Sequence, residues 1–228
     1  MEEIILHLIK KSLAPIFLKT QVRRMLDCGC ADGKLTMAIK RTMNVTEAYG
    51  VDINSKAIKV AKNLGIKGFV VNLNYMKLPF DDDFFDLVIM IRVIEHLMNP
   101  DNAVSEVYRV LRTGGLLIIA TPNQASWFNR LLLLLGHPIL GIDLSTKWRY
   151  HYPLGVTQVI SGHVRLYTVR ALKQLLSYYG FKVLKVKGYP QVSSKTRIKG
   201  RIFIYALDRF FAIKPTTASN IFMACQKI

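Results

Sequence analysis

Residues 25–36, MLDCGCADGKLT, decide the fold of this chain. An apolar run stops there at two glycines, Gly29 and Gly33, and the segment after them opens a helix. An acid, Asp52, closes the next apolar run, AYGVD, about 20 residues further on, and this pattern predicts a nucleotide-binding βαβ unit. The glycines let a ligand lie against the backbone, and the Asp52 carboxylate can accept hydrogen bonds from both hydroxyls of a ribose. The first ligand predicted is therefore one that contains adenosine.

The loop is a poor match to a dinucleotide-binding loop. That fingerprint, G-x-G-x-x-G aligned on Gly29, requires glycine where this chain has Ala31, and glycine or alanine where it has Lys34. The stretch instead resembles the first motif of the class I S-adenosylmethionine-dependent methyltransferases, whose loop lies along the methionine and ribose parts of the cofactor and binds no phosphate. Ala31 departs from the glycine that is more common in the family and tightens the loop.

Four further motifs follow in the order and spacing typical of that family. They are Leu78-Pro79-Phe80, the run 85–90, the run Val93-Ile94-Glu95-His96-Leu97, and the run 108–119. The resemblance covers about residues 25–122, and a weaker match from Gly162 onwards carries it to about residue 187. It implies a methyltransferase that uses S-adenosylmethionine and releases S-adenosylhomocysteine.

The resemblance also implies roles for individual residues. The backbone of the glycine loop would face the methionine end of the cofactor, Asp27 would hold the loop or the cofactor ammonium, and Asp52 would bind the ribose. After the third strand the family has an acid that accepts from the adenine amino group, where this chain has Asn72-Leu73-Asn74; Asn72 is favoured and Asn74 stays open. The predicted cofactor site comprises Asp27, Gly29, Cys30, Gly33, Asp52, Ile53, Asn72, Leu73 and Arg92.

Two histidines are candidates for a general base. If the acceptor is a hydroxyl, a base helps the reaction, and His96 is the histidine nearest in sequence to the tip of the fourth strand. His163 is the second candidate. A hydrogen-bonded scaffold role is the alternative for each of them. Glu95 is expected to brace its turn.

The hydrophobic pattern predicts the architecture independently of the resemblance. Apolar runs occupy 23–28, 47–52, 67–71, 85–91, 115–120, 181–187 and 220–226, and most are separated by helix-period segments. This alternation predicts a doubly wound α/β fold: a mainly parallel seven-stranded sheet with helices on both faces, the Rossmann-like methyltransferase fold. Asn54 and Asn99 are predicted to begin helices that end at Gly65 and Gly114.

Length and composition predict one soluble cytoplasmic domain. The 228 residues are 51% hydrophobic, which suits a single domain over 1–228 with a helical lead at 1–20 and an insertion at 124–160. No apolar run approaches the roughly 20 residues that span a bilayer, and Met1-Glu2-Glu3 is unlike a basic secretory leader. Three cysteines cannot form a four-cysteine zinc site, so no metal site is predicted and a reducing compartment is favoured.

Positive charge is concentrated in the last third of this basic protein. The chain has 32 basic and 15 acidic residues, a net charge of +17, and residues 144–228 contain 15 basic residues and a single acid, Asp208. Either the acceptor or its surroundings are anionic, or the surface is simply solvated.

The insertion contains an apolar run and an aromatic run. Residues 127–140 are too apolar for an ordinary loop, which predicts a lid over an acceptor pocket; a hydrophobic acceptor, a peripheral membrane contact and a dimer partner are the alternatives. Residues 147–152, KWRYHY, could stack nucleobases or close a pocket over a small acceptor.

These observations favour one function and leave two others open. The run Ile91-Arg92-Val93-Ile94 stands where methyltransferases acting on exocyclic amines of bases often carry Asn- or Asp-Pro-Pro-aromatic. We therefore predict a methyltransferase that acts on an oxygen or carbon nucleophile of a small or lipid-like acceptor. An RNA methyltransferase using the basic C-terminal third, and a non-catalytic binding module, are the alternatives. The oligomeric state is left open.

Overall fold

The computed structural model describes residues 2–17, 22–153, 156–191 and 201–228. Seven strands in these residues form one sheet in the order β3-β2-β1-β4-β5-β7-β6. Strand β7 is antiparallel to both of its neighbours, and the other pairs are parallel. The predicted mainly parallel seven-stranded sheet is confirmed. The strands are β1 (Arg24–Cys28), β2 (Glu47–Asp52), β3 (Lys67–Val70), β4 (Phe85–Ile91), β5 (Leu111–Pro122), β6 (Phe181–Tyr189) and β7 (Asn220–Lys227).

Seven α-helices accompany the sheet in the described residues. They are α1 (Glu2–Phe17), α2 (Lys34–Thr42), α3 (Ser55–Asn63), α4 (Pro100–Val110), α5 (Trp127–Leu134), α6 (Val169–Tyr178) and α7 (Arg201–Ala212), and a short 3-10 helix covers Ile94–His96. Helix α1 lies in the segment predicted as a helical lead, of which Met1 and residues 18–20 fall outside the described residues. Among these helices, none combines the length and the hydrophobicity that crossing a bilayer requires.

Asparagine caps begin two of the helices, as predicted. The Asn54 side chain accepts from the backbone N–H groups of Lys56 and Ala57 at the start of α3. The Asn99 side chain accepts from the N–H of Asn102 at the start of α4. These bonds satisfy N–H groups that have no partner within the helix.

The predicted end of α4 at Gly114 is wrong. The helix ends at Val110, and Leu111 is already extended, fully buried and paired with Phe85. The chain leaves the helix early because Leu111 belongs to the core of the sheet. Gly114, with φ +77°, lies in the irregular stretch before regular pairing resumes at Leu116.

Apolar layers cover both faces of the sheet, as the doubly wound fold requires. Alternate residues of β1 point to opposite faces, so that Leu26 packs with one layer and Met25 with the other. The first layer includes Val104, Val107, Leu172 and Leu176 from α4 and α6, and the second includes Ile5, Ile9 and Ile39 from α1 and α2.

Arg109 ties α4 to the Leu78-Pro79-Phe80 motif. Its guanidinium donates to the carbonyl oxygens of Leu78 and Phe80 at 3.0 and 2.8 Å. It also pairs with Glu106 at 2.7 Å, and the Glu106 carboxylate accepts from the N–H of Leu78 at 2.7 Å. The motif therefore docks a turn against α4.

We expect Arg109→Lys to lower the free energy of unfolding by about 1–3 kcal/mol, because a lysine cannot reach both carbonyl oxygens and the carboxylate at once. Urea unfolding followed by circular dichroism measures the loss. Arg170→Lys, at an exposed position on α6, is the matched control and should leave stability within about 0.5 kcal/mol of the parent. Equal stabilities for the two variants would contradict the role given to Arg109.

Candidate functional site

Most of the predicted site residues lie along one edge of the sheet. The loop 29–33 follows β1, Asp52 ends β2, and Arg92 follows β4. Because β1, β2 and β4 are parallel, their carboxyl ends meet at this edge, where α/β sheets bind ligands. Strand β7 contributes Asn220, which pairs with the last residue of β5.

The loop after β1 depends on its two glycines. Gly29 and Gly33 have φ of +78° and +81°, a region that side chains rarely adopt. A Cβ atom on Gly29 would also collide with the side chain of Val93, and one on Gly33 would collide with that of Ile66. The N–H of Gly29 donates to the carbonyl of Val51 at 2.7 Å, so the loop is held against the end of β2.

Ala31 adopts a backbone conformation that favours glycine, the residue that is more common at this position in the methyltransferase family that the loop resembles. Its φ is +46°, in the left-handed region, which costs an alanine about 1 kcal/mol relative to glycine. Its N–H donates to Oδ2 of Asp52 at 2.9 Å. The tightening of the loop predicted from the sequence corresponds to the strained backbone of Ala31, which the hydrogen bond to the Asp52 carboxylate holds in place.

The carboxylate of Asp52 is oriented by two backbone donors. Besides Ala31 it accepts from the N–H of Asn54, at 2.8 Å to Oδ1. Each carboxylate oxygen can accept more than one hydrogen bond, so both remain able to accept from a ribose. Ile53 follows directly and is 64% exposed, which leaves an apolar surface for a flat ring beside the carboxylate.

Asp27 is a buried residue of β1, two positions before the loop 29–33. Its Oδ2 accepts from Oγ1 of Thr36 in α2, at 2.5 Å. Burial raises the pKa of Asp27 to about 7; the Thr36 bond opposes this rise, and the negative charge of Asp52 adds to it. The sequence pattern did not assign a role to Thr36. Its position in the first turn of α2, just after Gly33, could have indicated a contact with the loop.

Asn72 and Asn74 form a small network after β3. Oδ1 of Asn72 accepts from both the backbone N–H and the side-chain amide of Asn74, each at 3.0 Å. Oδ1 of Asn74 accepts from the N–H of Asn99. Leu73, between them, is buried. In the described part of the chain, the Asn72 amide nitrogen donates to no protein group, so this residue offers a donor where an acceptor is expected.

The structure brings His96 and His163 together, with ring centroids 4.8 Å apart. Nδ1 of His96 lies 3.1 Å from the carbonyl oxygen of Gly162, and Nδ1 of His163 lies 2.8 Å from that of Gly141. Because a carbonyl can only accept, Nδ1 is the protonated nitrogen and Nε2 of each neutral ring keeps a lone pair. Burial lowers the pKa of His163, although its bond to Gly141 opposes this effect.

Glu95 braces this part of the site. It is fully buried, its Oε2 accepts from the hydroxyl of Thr121 at 3.0 Å, and its Oε1 lies 3.2 Å from Nε of Arg92. Arg92, with φ +61°, also donates to Oδ1 of Asn220 at 3.0 Å. The charged end of Arg92 therefore contacts protein groups, and its contact with a cofactor stays a prediction.

Glu95, His96 and His163 also form a donor set that could hold a metal ion. One ligand atom from each lies within 4.8 Å of the others, and a carboxylate with two imidazoles suits a divalent transition metal. The guanidinium of Arg92 beside Glu95 opposes a second cation there. The geometry thus supplies ligands, whereas the local charge disfavours an ion.

The insertion contacts the segment that carries His163. Carboxylate oxygens of Asp143 accept from the N–H groups of Ser161 and Gly162. Gly141 holds the His163 ring. Tyr150 packs against the rings of Trp148 and Tyr152 within the aromatic run. The function of residues 124–160 as a lid stays a prediction, and residues 154–155 fall outside the described ones.

Comparison with known proteins matches part of the chain to a methyltransferase family. The family described as a methyltransferase domain matches residues 26–119. The chain is 34% identical over 104 residues to a ubiquinone/menaquinone biosynthesis C-methyltransferase of Erwinia tasmaniensis, covering 42% of this chain and 41% of that protein. It is 30% identical over 130 residues to a ubiquinone biosynthesis O-methyltransferase of Mesorhizobium japonicum, covering 55% and 49%. The chain thus spans half or less of the length of these relatives.

Solved structures share the fold over nearly the whole chain. A methyltransferase of Thermotoga maritima, described as a possible histamine N-methyltransferase, superposes with a TM-score of 0.62 at 17% identity, covering 97% of this chain and 99% of that one. A methyltransferase of Methanosarcina mazei gives a TM-score of 0.62 at 20% identity, covering 94% and 97%. At these identities the likeness is one of fold.

The raised pKa of Asp27 predicts a pH-dependent stability. A carboxyl with a higher pKa in the folded than in the unfolded chain makes folding less favourable as pH rises from about 4 to about 7. Asp27→Asn removes this penalty. The stability difference between variant and parent should therefore grow by about 1.4 kcal/mol per pH unit between pH 5 and 7.

Urea unfolding at pH 5, 6, 7 and 8 measures this difference. Asp81→Asn, which removes an exposed acid, is the control, and its stability difference should stay nearly flat. A difference for Asp27→Asn that does not change with pH would show that the carboxyl titrates normally.

Proposed function

Because this chain belongs, through residues 26–119, to the class I S-adenosylmethionine-dependent methyltransferases, we propose that it transfers the cofactor's methyl group to an oxygen or carbon atom of a small or lipid-like acceptor. One observation carries the proposal. The glycine loop, with the carboxyl groups of Asp27 and Asp52, stands at the same edge of the sheet as the His96–His163 pair. The proposed cofactor half and the proposed proton-accepting half would thus share one edge of the sheet.

The residues present fit S-adenosylmethionine. Asp52 offers oriented acceptors to the two ribose hydroxyls, and the exposed Ile53 offers an apolar surface to the adenine. The ionised form of Asp27 suits the ammonium of the methionine part. The backbone of Gly29, Cys30 and Gly33 completes the surface along that part.

Two further residues complete the proposed cofactor site. Asn72, whose oxygen is occupied by Asn74, is proposed to donate to a ring nitrogen of adenine. Leu73, buried beneath it, supports this loop. Arg92 is proposed to lie beside the methyl group, where its pair with Glu95 fixes the end of β4.

The chemistry asks for positioning more than for acid or base power. The bound cofactor supplies a methyl group on a sulfonium, which is a good leaving group. The protein contributes an in-line approach and the exclusion of water. For a hydroxyl or carbon acid, a proton must also leave the acceptor, and Nε2 of His163 or of His96 can take it. The lowered pKa of His163 keeps that ring neutral at neutral pH.

The acceptor class is supported by the sequence relatives and by the local residues. The two relatives described above are named as a C- and an O-methyltransferase of ubiquinone biosynthesis. The chain lacks the Asn- or Asp-Pro-Pro-aromatic run after β4. A small or lipid-like molecule that presents oxygen or carbon is therefore the proposed acceptor, with the 124–160 segment as its lid.

The proposed setting is the cytoplasm. Cys28, Cys30 and Cys225 are all buried free thiols, which suits a reducing compartment. The protein is proposed to work there on an acceptor that it meets in solution or at a lipid surface.

Calorimetric titration of S-adenosylmethionine and S-adenosylhomocysteine tests the cofactor site. We expect binding by the parent and at least tenfold weaker binding by Asp52→Ala, because the variant loses the acceptors for both ribose hydroxyls. Asp81→Ala removes an exposed acid elsewhere and should bind like the parent. Absence of binding by the folded parent would overturn the proposed function.

Kinetics of His163→Gln test the proposed base once an acceptor is found by screening. We expect kcat to fall about 100-fold with the KM for the cofactor unchanged, and the ascending limb of the pH–rate profile to disappear. His137→Gln, in the insertion, is the control. A variant that keeps the parent pH profile would assign His163 to the scaffold.

A further inference from the structure

Helices α5 and α7 expose an unusual apolar surface, which we call the docking face. It consists of Leu131 and Leu134 on α5, of Ile202, Phe203 and Phe210 on α7, and of Ile213, which directly follows α7. Leu134 is 83% exposed, Ile213 78% and Phe203 69%. Single exposed apolar side chains are ordinary, whereas several large ones on two neighbouring helices favour an interaction surface.

The two helices are in direct contact. The Trp127 ring of α5 stacks on Phe211 of α7, with centroids 5.2 Å apart, and its Nε1 donates to Asp208 at 3.2 Å. Leu131 and Leu134 follow Trp127 by four and seven residues, so they continue the side of α5 that meets α7. Phe210 is the neighbour of Phe211. Phe203, seven residues before Phe210, lies on the same side of α7, about a quarter turn from Phe211.

Helix α7 exposes large apolar side chains and buries an acid. Its inward positions are Ile204, Asp208 and Ala212, at intervals of four residues, and they include the acid. Its outward positions include Phe203 and Phe210. Burial of large aromatic side chains that face water is favourable. We therefore expect this side of the helix to contact a partner.

Exposed basic residues flank the docking face, and one acid, Glu3, lines the adjoining groove between α1 and α7. Arg130, Arg209 and Lys214 are exposed on or beside the two helices. Asp208, the one acid in residues 144–228, is buried and accepts from Trp127 and from Ser219. Apolar side chains between exposed cations are the pattern that binds anionic lipid. A second copy of the chain would bring like charges together, at a net charge of +17 each.

We propose that the docking face binds the surface of an anionic lipid bilayer, with the side chains of α5 and α7 inserted among the headgroups. The face lies at the edge of the sheet that carries the candidate site: α5 follows the end of β5, and the chain after α7 leads into Asn220, the partner of Arg92. Docking would therefore turn the acceptor side towards the lipid. The proposal stands on exposure and charge and does not depend on methyl transfer.

An open groove lies beside the docking face. It has a volume of about 570 Å³ and lies between α1 and α7. Ile4 and Leu8 line one side, and Arg209, Ala212 and Ile213 line the other. Because Ile213 belongs to both surfaces, the groove adjoins the docking face.

Vesicle flotation with the full chain tests the proposal. We expect the parent to float with phosphatidylcholine vesicles that contain 30% phosphatidylglycerol. With vesicles of phosphatidylcholine alone, the fraction of protein that floats should be at least tenfold smaller. The double variant Leu134→Glu/Phe210→Glu should bind the anionic vesicles at least tenfold more weakly. The double variant Val60→Glu/Tyr178→Glu makes the same change of charge at exposed positions on α3 and α6 and should bind within twofold of the parent.

Three results would overturn the proposal. They are failure of the parent to bind anionic vesicles, equal binding by both double variants, and a parent dimer in light scattering that only Leu134→Glu/Phe210→Glu dissociates. Salt-sensitive binding of RNA by a parent that does not bind anionic vesicles would overturn the proposal as well. Urea unfolding and calorimetric binding of S-adenosylmethionine, measured on the same variants, separate loss of docking from loss of the fold or of the proposed cofactor site.

Discussion

The hydrogen bond from the N–H of Ala31 to the carboxylate of Asp52 is the constraint on which the site depends. It joins the loop after β1 to the end of β2, and the same carboxylate orients the start of α3 through Asn54. The bond holds Ala31 in a left-handed conformation that an alanine does not favour. A single charged group thus positions two adjacent segments and still presents acceptor lone pairs at the edge of the sheet.

Much of the fold was predictable because it is encoded locally. Strand positions follow from short apolar runs, and the starts of α3 and α4 follow from Asn54 and Asn99, whose side chains bond only a few residues away. The direction of β7 was not predictable in this way, since an apolar run has the same pattern in either direction. Leu111 shows the same limit: a helical pattern continued through it, but its partner Phe85 belongs to a distant strand.

The candidate site also has one part that the local sequence predicts and another part that it does not. The loop and Asp52 lie within one βαβ unit, so sequence spacing identified them. The acceptor side is assembled from distant segments: Glu95 bonds Thr121, and Arg92 bonds Asn220. His163 lies beside His96 in a segment that is bonded by Gly141 and Asp143 of the insertion and by the Glu95 carbonyl. These contacts join residues that are far apart in the sequence, so no local pattern predicts them.

The buried carboxyl of Asp27 has one more consequence. A group with a pKa of about 7 is divided between its protonated and ionised forms at neutral pH. A ligand ammonium next to it would select the ionised form and release a proton to the buffer. The heat of ligand binding would then vary with the ionisation enthalpy of the buffer, and occupancy of the site would follow the acidity of the cell.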